Sequence, residues 1–122
     1  MVLVDTPVWI RHFRDGYGPF SNMLEQGQVL LHPFVLGELA CGRLNPRKEI
    51  LEDLAGLPKP EIASDDEVLK FIEAHRLMET GLGYVDAHIL ASTLLTGAMI
   101  WTLDSALKRA ANKLGICFKE IG

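Results

Sequence analysis

Four carboxylates stand where chemistry is open to them: Asp5, Glu38, Asp86 and Asp104. Asp5 ends the apolar run Val2-Leu3-Val4 and precedes Thr6-Pro7-Val8-Trp9, the pattern of a buried strand handing over to a helix. Asp104 repeats that pattern after the apolar stretch Ala98 to Leu103. Glu38 and Asp86 fall on apolar helix faces, Glu38 among Phe34, Val35 and Cys41, and Asp86 with Ile89, Leu90 and Thr93 at helical spacing. Each has a plain explanation taken singly. Asp5 is a good helix N-cap, Asp86 suits a helix N-terminus, and Glu38 suits an exposed position or an ion pair. Taken together, four carboxylates converging on one sheet edge would repel one another unless a cation offset them. Hard oxygen ligands of this kind suit Mg²⁺ or Mn²⁺, held by a few carboxylates with waters and substrate phosphates. Phosphodiester hydrolysis is the matching chemistry, one metal making a nucleophile of water and a second, about 4 Å away, steadying the leaving oxygen.

The elements that would position these groups alternate. Strand Val2 to Asp5 is followed by a helix over Thr6 to Arg14 and a short helix over about Phe20 to Gln26, with glycines and Pro19 between them. Val29 to Leu31 reads as a second strand, and Pro33 opens a helix that continues to Gly42. A helix over Arg47 to Ala55 comes next, then the loop Pro58-Lys59-Pro60 and a very short strand at Glu61 to Ala63. Ser64, with Asp65, Asp66 and Glu67 behind it, is a capping-box helix start. Tyr84 to Thr96 is apolar on most sides and so should be buried. Strand Ala98 to Leu103, a basic helix over Ser105 to Leu114 and strand Ile116 to Phe118 complete the chain. Strands separated by helices, without hairpin signals, specify a parallel sheet covered on both faces. Asp5 and Asp104 then sit at strand ends, where ligands bind in open α/β sheets.

Length and composition are those of one domain, residues 1–122, with 48% hydrophobic and 23% charged residues. No apolar run reaches the roughly 20 residues of a membrane span, and the first residues lack a signal-peptide pattern, so a cytoplasmic location is expected. Cys41 and Cys117 are expected to be reduced and buried, and the four histidines show no zinc-ligand spacing. The net charge of −4 hides an asymmetry. Between Glu49 and Glu67 seven acidic residues face Lys59 alone, a local −6 that leaves +2 for the rest of the chain. That remainder is compatible with an anionic partner once a divalent cation is added.

The order Leu-Val-Asp5-Thr6-x-Val-Trp9-Ile, Leu36-Gly37-Glu38-Leu39-Ala40, Gly83-Tyr84-Val85-Asp86-Ala87-His88-Ile-Leu-Ala-Ser92 and Trp101-Thr102-x-Asp104 resembles the PIN-domain ribonucleases, and within them the VapC toxins. The resemblance runs from Met1 to about Leu114. It carries the family's acidic quartet onto Asp5, Glu38, Asp86 and Asp104 as catalytic and metal-binding residues, with Thr6 and Thr102 as supporting polar groups. Where the family commonly has Ser or Asn two residues after the first Asp, this chain has Pro7, which removes a hydroxyl and a backbone donor. The resemblance implies a three-layer α/β/α sandwich on a parallel sheet of about five strands and a homodimer. It also implies Mg²⁺- or Mn²⁺-dependent cleavage of RNA, and a VapB-like antitoxin that lays a tail across the site.

Arg11 and Arg14 are candidate contacts to RNA phosphates, Arg14 with the competing option of pairing with Asp15. Gly81-Leu82-Gly83 lacks the Gly-Lys-Ser/Thr of a phosphate loop and reads as a turn. His88 is two residues from Asp86 and so points elsewhere. A phosphotransfer enzyme using Asp5 as a covalent acceptor would want a second Asp at the position of Pro7, or an acidic pair at the end of strand one with a late Lys. The rival outside catalysis is a protein-binding module that keeps the fold without cleaving.

Overall fold

A computed structural model describes residues 1–16 and 18–120. Its hub is β1 (Val2–Val4), central in a parallel sheet between β2 (Val29–Leu30) and β3 (Met99–Trp101). Leu3 and Val4 have no exposed surface, as expected of a strand covered on both faces. Parallel neighbours require crossovers, and helices supply them. α1 (Thr6–Asp15) and α2 (Gly18–Glu25) lie between β1 and β2, with α3 (Pro33–Cys41), α4 (Arg47–Ala55), α5 (Asp65–Ala74) and α6 (Tyr84–Thr96) between β2 and β3. α7 (Ser105–Lys113) follows β3. Together they form the expected three-layer α/β/α arrangement.

Among the described residues the sheet has three strands, with one further parallel bridge between Ile100 and Cys117, against the five or so expected. The two outer candidates spend their backbone groups differently. At Glu61 to Ala63, the Glu61 and Ala63 N–H groups donate to the hydroxyls of Thr96 and Ser92 on α6, at 2.9 and 3.1 Å, so the segment is pinned to a helix. At Ile116 to Phe118 the chain exchanges two backbone bonds with Ile100, while the Ile116 N–H goes to the Ala111 carbonyl of α7, which leaves too few ladder bonds for a strand. The single-domain expectation extends to residues 121 and 122, which lie outside the described residues.

The core has two parts. Its larger part packs Leu3, Val4, Trp9, Phe20, Ile89, Ile100 and Leu107 about the sheet. A smaller one, Ala63, Val68, Ala87 and Ala91, seals α5 against the outer side of α6. α6 is therefore held between the sheet and α5, which explains its apolar character on most sides. Trp9 and Trp101 are core residues, the Trp9 indole donating to the Val4 carbonyl at 3.2 Å. The cysteines depart from expectation: both are free, but Cys41 is exposed and Cys117 only half-buried. Cys41 closes α3 on the side turned from the sheet, a direction its apolar neighbours do not reveal. Among the described residues no helix is long and apolar enough to cross a membrane.

Candidate active site

Parallel strands deliver their carboxyl ends to one edge, and there the sequence places Asp5, immediately after β1. Asp5 is buried, at 6% exposure, and both of its oxygens are engaged. Oδ1 accepts the Thr6 N–H at 2.9 Å, capping α1, and Oδ2 accepts the Thr102 hydroxyl at 2.8 Å. Pro7 is the second residue of α1, in the first turn, where a backbone N–H has no partner within the helix. Its missing donor therefore leaves Asp5 anchored through Thr6.

Thr102 and Thr6 act as couplers. The Thr102 hydroxyl, itself buried, donates to Asp5 and accepts the Asp104 N–H at 3.0 Å, fixing the first Asp against the last. Asp104 then caps α7, its Oδ2 accepting the Leu107 N–H at 2.9 Å. Thr6 donates through its hydroxyl to Glu38 Oε1 at 3.1 Å, bringing α3 to the same place. Asp86 sits in the first turn of α6, and its Oδ2 faces the Gly83 N–H at 3.4 Å, a weak contact.

Electrostatics join the four. Burial raises the Asp5 carboxyl above the ordinary carboxylate range, the Thr102 and Thr6 hydrogen bonds oppose the rise, and the charges of Asp86 and Glu38 add to it. Asp86 is raised first by burial and then by Asp104, with the Gly83 N–H opposing. The desolvation falls mainly on Asp5 and in part on Asp86, since Glu38 and Asp104 are exposed. Among the described residues the ion pairs are Arg14–Asp15 and His88–Asp65, neither of which reaches the quartet. A buried carboxylate facing other carboxylates without a cation is a costly arrangement.

The donor set is therefore all oxygen and strongly anionic. Among the described residues no group of three or more His, Cys, Asp or Glu side chains is placed so as to hold a metal ion, so the quartet is not a ready-made protein cage. Mg²⁺ does not ask for one, because it keeps several waters and is held by one or two carboxylates together with substrate phosphates. The residues fit a hard divalent cation in that open mode.

Of the basic candidates, Arg14 pairs with Asp15 through two contacts, at 3.0 and 2.9 Å, on the surface. Such a pair is weak enough to open for a phosphate. Arg14 also lines, with Ile10, Phe13, Leu39, Arg43 and Ile50, a cavity of about 430 Å³ that Glu38 borders. Arg11, on the same helix, is exposed.

Reasoning from sequence passed over four contacts. His32 caps α3, its Nδ1 accepting the Phe34 N–H at 3.0 Å, so the proton is assigned to Nε2, which faces the Ser92 hydroxyl at 3.4 Å. Burial, then the neighbouring His88, lowers its pKa to about 4. The Asp65 Oδ1 accepts both the Tyr84 hydroxyl and His88 Nε2, each at 2.8 Å. His-Pro at the start of α3 and the i, i+4 spacing of Tyr84 and His88 were the available signals.

Comparison with known proteins bears on the whole chain. The PIN domain family model matches residues 2–113. The chain is similar to the proteins named Ribonuclease VapC32 from two strains of Mycobacterium tuberculosis, CDC 1551 / Oshkosh and ATCC 25618 / H37Rv. Each is 40% identical over 121 residues, which is 98% of both chains. In fold it is similar to PAE2754 from Pyrobaculum aerophilum, with a TM-score of 0.62 and 17% identity over 90% of this chain and 78% of that one.

Proposed function

This chain belongs to the PIN domain family, and from that premise we propose that it is an endoribonuclease toxin of the VapC kind, opposed by a cognate VapB-like antitoxin. The similarity to proteins named as ribonucleases over almost the full chain supports hydrolysis of RNA phosphodiester bonds. The observation that carries the metal-dependent reading is Asp5, buried and hydrogen-bonded by the Thr6 N–H and the Thr102 hydroxyl, with the charges of Asp86 and Glu38 acting on it and, among the described residues, no salt bridge to a basic side chain. A binding module would gain nothing from that repulsion.

Asp5, Asp86, Asp104 and Glu38 would hold Mg²⁺ or Mn²⁺. The bound cation supplies positive charge that eases ionisation of a water and neutralises charge developing on the phosphate. The chain supplies the rest. Thr102 orients Asp5 by donating to one of its oxygens, and Thr6 donates likewise to Glu38. Neither His88 nor His32 is turned to the reacting groups: His88 goes to Asp65 and His32 to Phe34 and Ser92. Arg11 and Arg14, on the helix that leaves the site, meet RNA phosphates in this reading. The apolar cavity beside Glu38 suits the antitoxin, whose basic side chain would meet the carboxylates in a charge-assisted contact. A single PIN domain over 1–122, a homodimer and a cytoplasmic site of action complete the proposal.

The test is cleavage of total RNA in Mn²⁺ or Mg²⁺. Wild-type protein should cut, chelator should stop it, and Asp5→Asn should be inactive at an unchanged fold. Cutting that persists in chelator or in Asp5→Asn would remove the metal assignment.

A further inference from the structure

We propose that Asp65, which lies outside the acidic quartet, is a positioning residue that sets the rotation of α6 and thereby the direction of Asp86. The inference rests on the nuclease reading only in the use it makes of Asp86.

α6 has two working sides. Ala87 and Ala91 pack with Ala63 and Val68 toward α5, while Ile89 and Leu90 belong to the core around the sheet. At about 100° per residue, Tyr84 and His88 share the α5 side, and Asp86 falls about 200° from each, on the sheet side. Whatever holds Tyr84 and His88 therefore holds the helix against turning about its own axis.

Little else does so in that turn. The N-cap of α6 is Gly83, which has no side chain to cap with, and the return bond from Asp86 to its N–H is 3.4 Å long. The incoming segment bends through positive φ at Arg76, Glu79 and Gly81. Asp65 supplies the missing anchor from outside the helix. Its Oδ1 accepts from Tyr84 and His88 together, each at 2.8 Å, two residues before and two residues after Asp86. Asp65 is free for this task because Ser64 already caps α5, accepting the Glu67 N–H at 3.1 Å while Glu67 returns a bond to the Ser64 N–H at 2.9 Å. The clamp also reaches the helix that carries Glu38. The His88 ring, 3% exposed, stands 5.0 Å from Phe34 on α3 and 4.8 Å from Tyr84, both edge-to-face.

Three variants of the full chain test this: Asp65→Ala, Asp65→Asn and Tyr84→Phe. The Ser64 cap remains in all of them, so α5 keeps its start. Asp65→Ala should lower kcat on RNA about tenfold with KM changed by less than about twofold, the signature of a displaced reacting group. Asp65→Asn should restore most of the rate, because an amide oxygen still accepts both bonds, and Tyr84→Phe should fall between. In metal-free protein, hydrogen exchange should quicken at the Ala87 and His88 amides of Asp65→Ala and stay unchanged in the second half of α6. In a wild type that cuts RNA, unchanged kcat and exchange in Asp65→Ala would overturn the positioning role alone. So would a loss that tracks a general fall in Tm and that Asn does not restore. A wild type that cuts no RNA would overturn the nuclease reading and take the catalytic half of this inference with it.

Discussion

Two groups of acidic residues in this chain gather at helix starts, and they obey opposite electrostatics. At the head of α5, the Asp65 carboxylate lies below the ordinary range because Tyr84 and then His88 donate to it, and Glu67 lies below it because Ser64 does. At the sheet edge, Asp5 and Asp86 lie above the ordinary range because burial and then neighbouring carboxylates disfavour their charge. The first group is satisfied by its surroundings. The second is left short of positive charge, although its composition is similar.

The sharpest way to separate the groups is Asp86→Asn. It should cut RNA cleavage roughly 100-fold or more, beyond the loss typical of outer-shell partners. The metal-free thermal midpoint should hold or rise, since one member of a repelling pair is gone; a lower midpoint would show that Asp86 serves folding after all. Next in size is Thr102→Val, which deprives a buried carboxylate oxygen of its donor. Initial rates should fall about 10–100-fold and urea unfolding should show a loss of about 1–3 kcal/mol.

Acid titration tests the contrast by sign. For Asp5 and Asp86 the folded pKa is raised, so their unfavourable contribution eases as pH falls through the carboxylate range. For Asp65 and Glu67 the folded pKa is depressed, so their contribution is present above the unfolded values of 3.8 and 4.5 and is lost below them. His32 intervenes earlier. Its folded pKa of about 4 lies below the usual 6.5, so its contribution is complete above 6.5 and drains as pH falls toward 4. That is worth about 3 kcal/mol. Urea unfolding of wild type and His32→Asn from pH 7.5 to 4.5 should show this slope in wild type and a flatter one in the variant. The smallest effect expected is from Ser64→Ala, which should cost about 1 kcal/mol on urea unfolding. A cost near zero would mean that the α5 start is held by tertiary contacts alone.

Local chemistry made much of this legible. Pro33, Ser64, Gly83 and Gly97 marked helix ends, and α3, α5 and α6 start or stop at them. The quartet and its two threonines could be proposed because each stands in a short motif, beside a strand end, in the first turn of a helix or, for Glu38, within α3. What escaped depends on partners distant in the chain. Nothing near Glu61 to Ala63 announces that its N–H groups go to Ser92 and Thr96, and nothing near Asp65 announces Tyr84 and His88, 19 and 23 residues away. The division of burial, with Asp5 enclosed and Glu38 exposed, is likewise tertiary.

The bond from Thr102 to Asp5 spans 97 residues. Asp5 follows the central strand, yet it cannot be fully oriented until β3 and Thr102 are in place beside it. A chain that stops short of Thr102 leaves Asp5 without the hydroxyl that orients it. Joining groups so far apart costs conformational entropy, so this edge of the sheet is completed only as β3 packs beside β1.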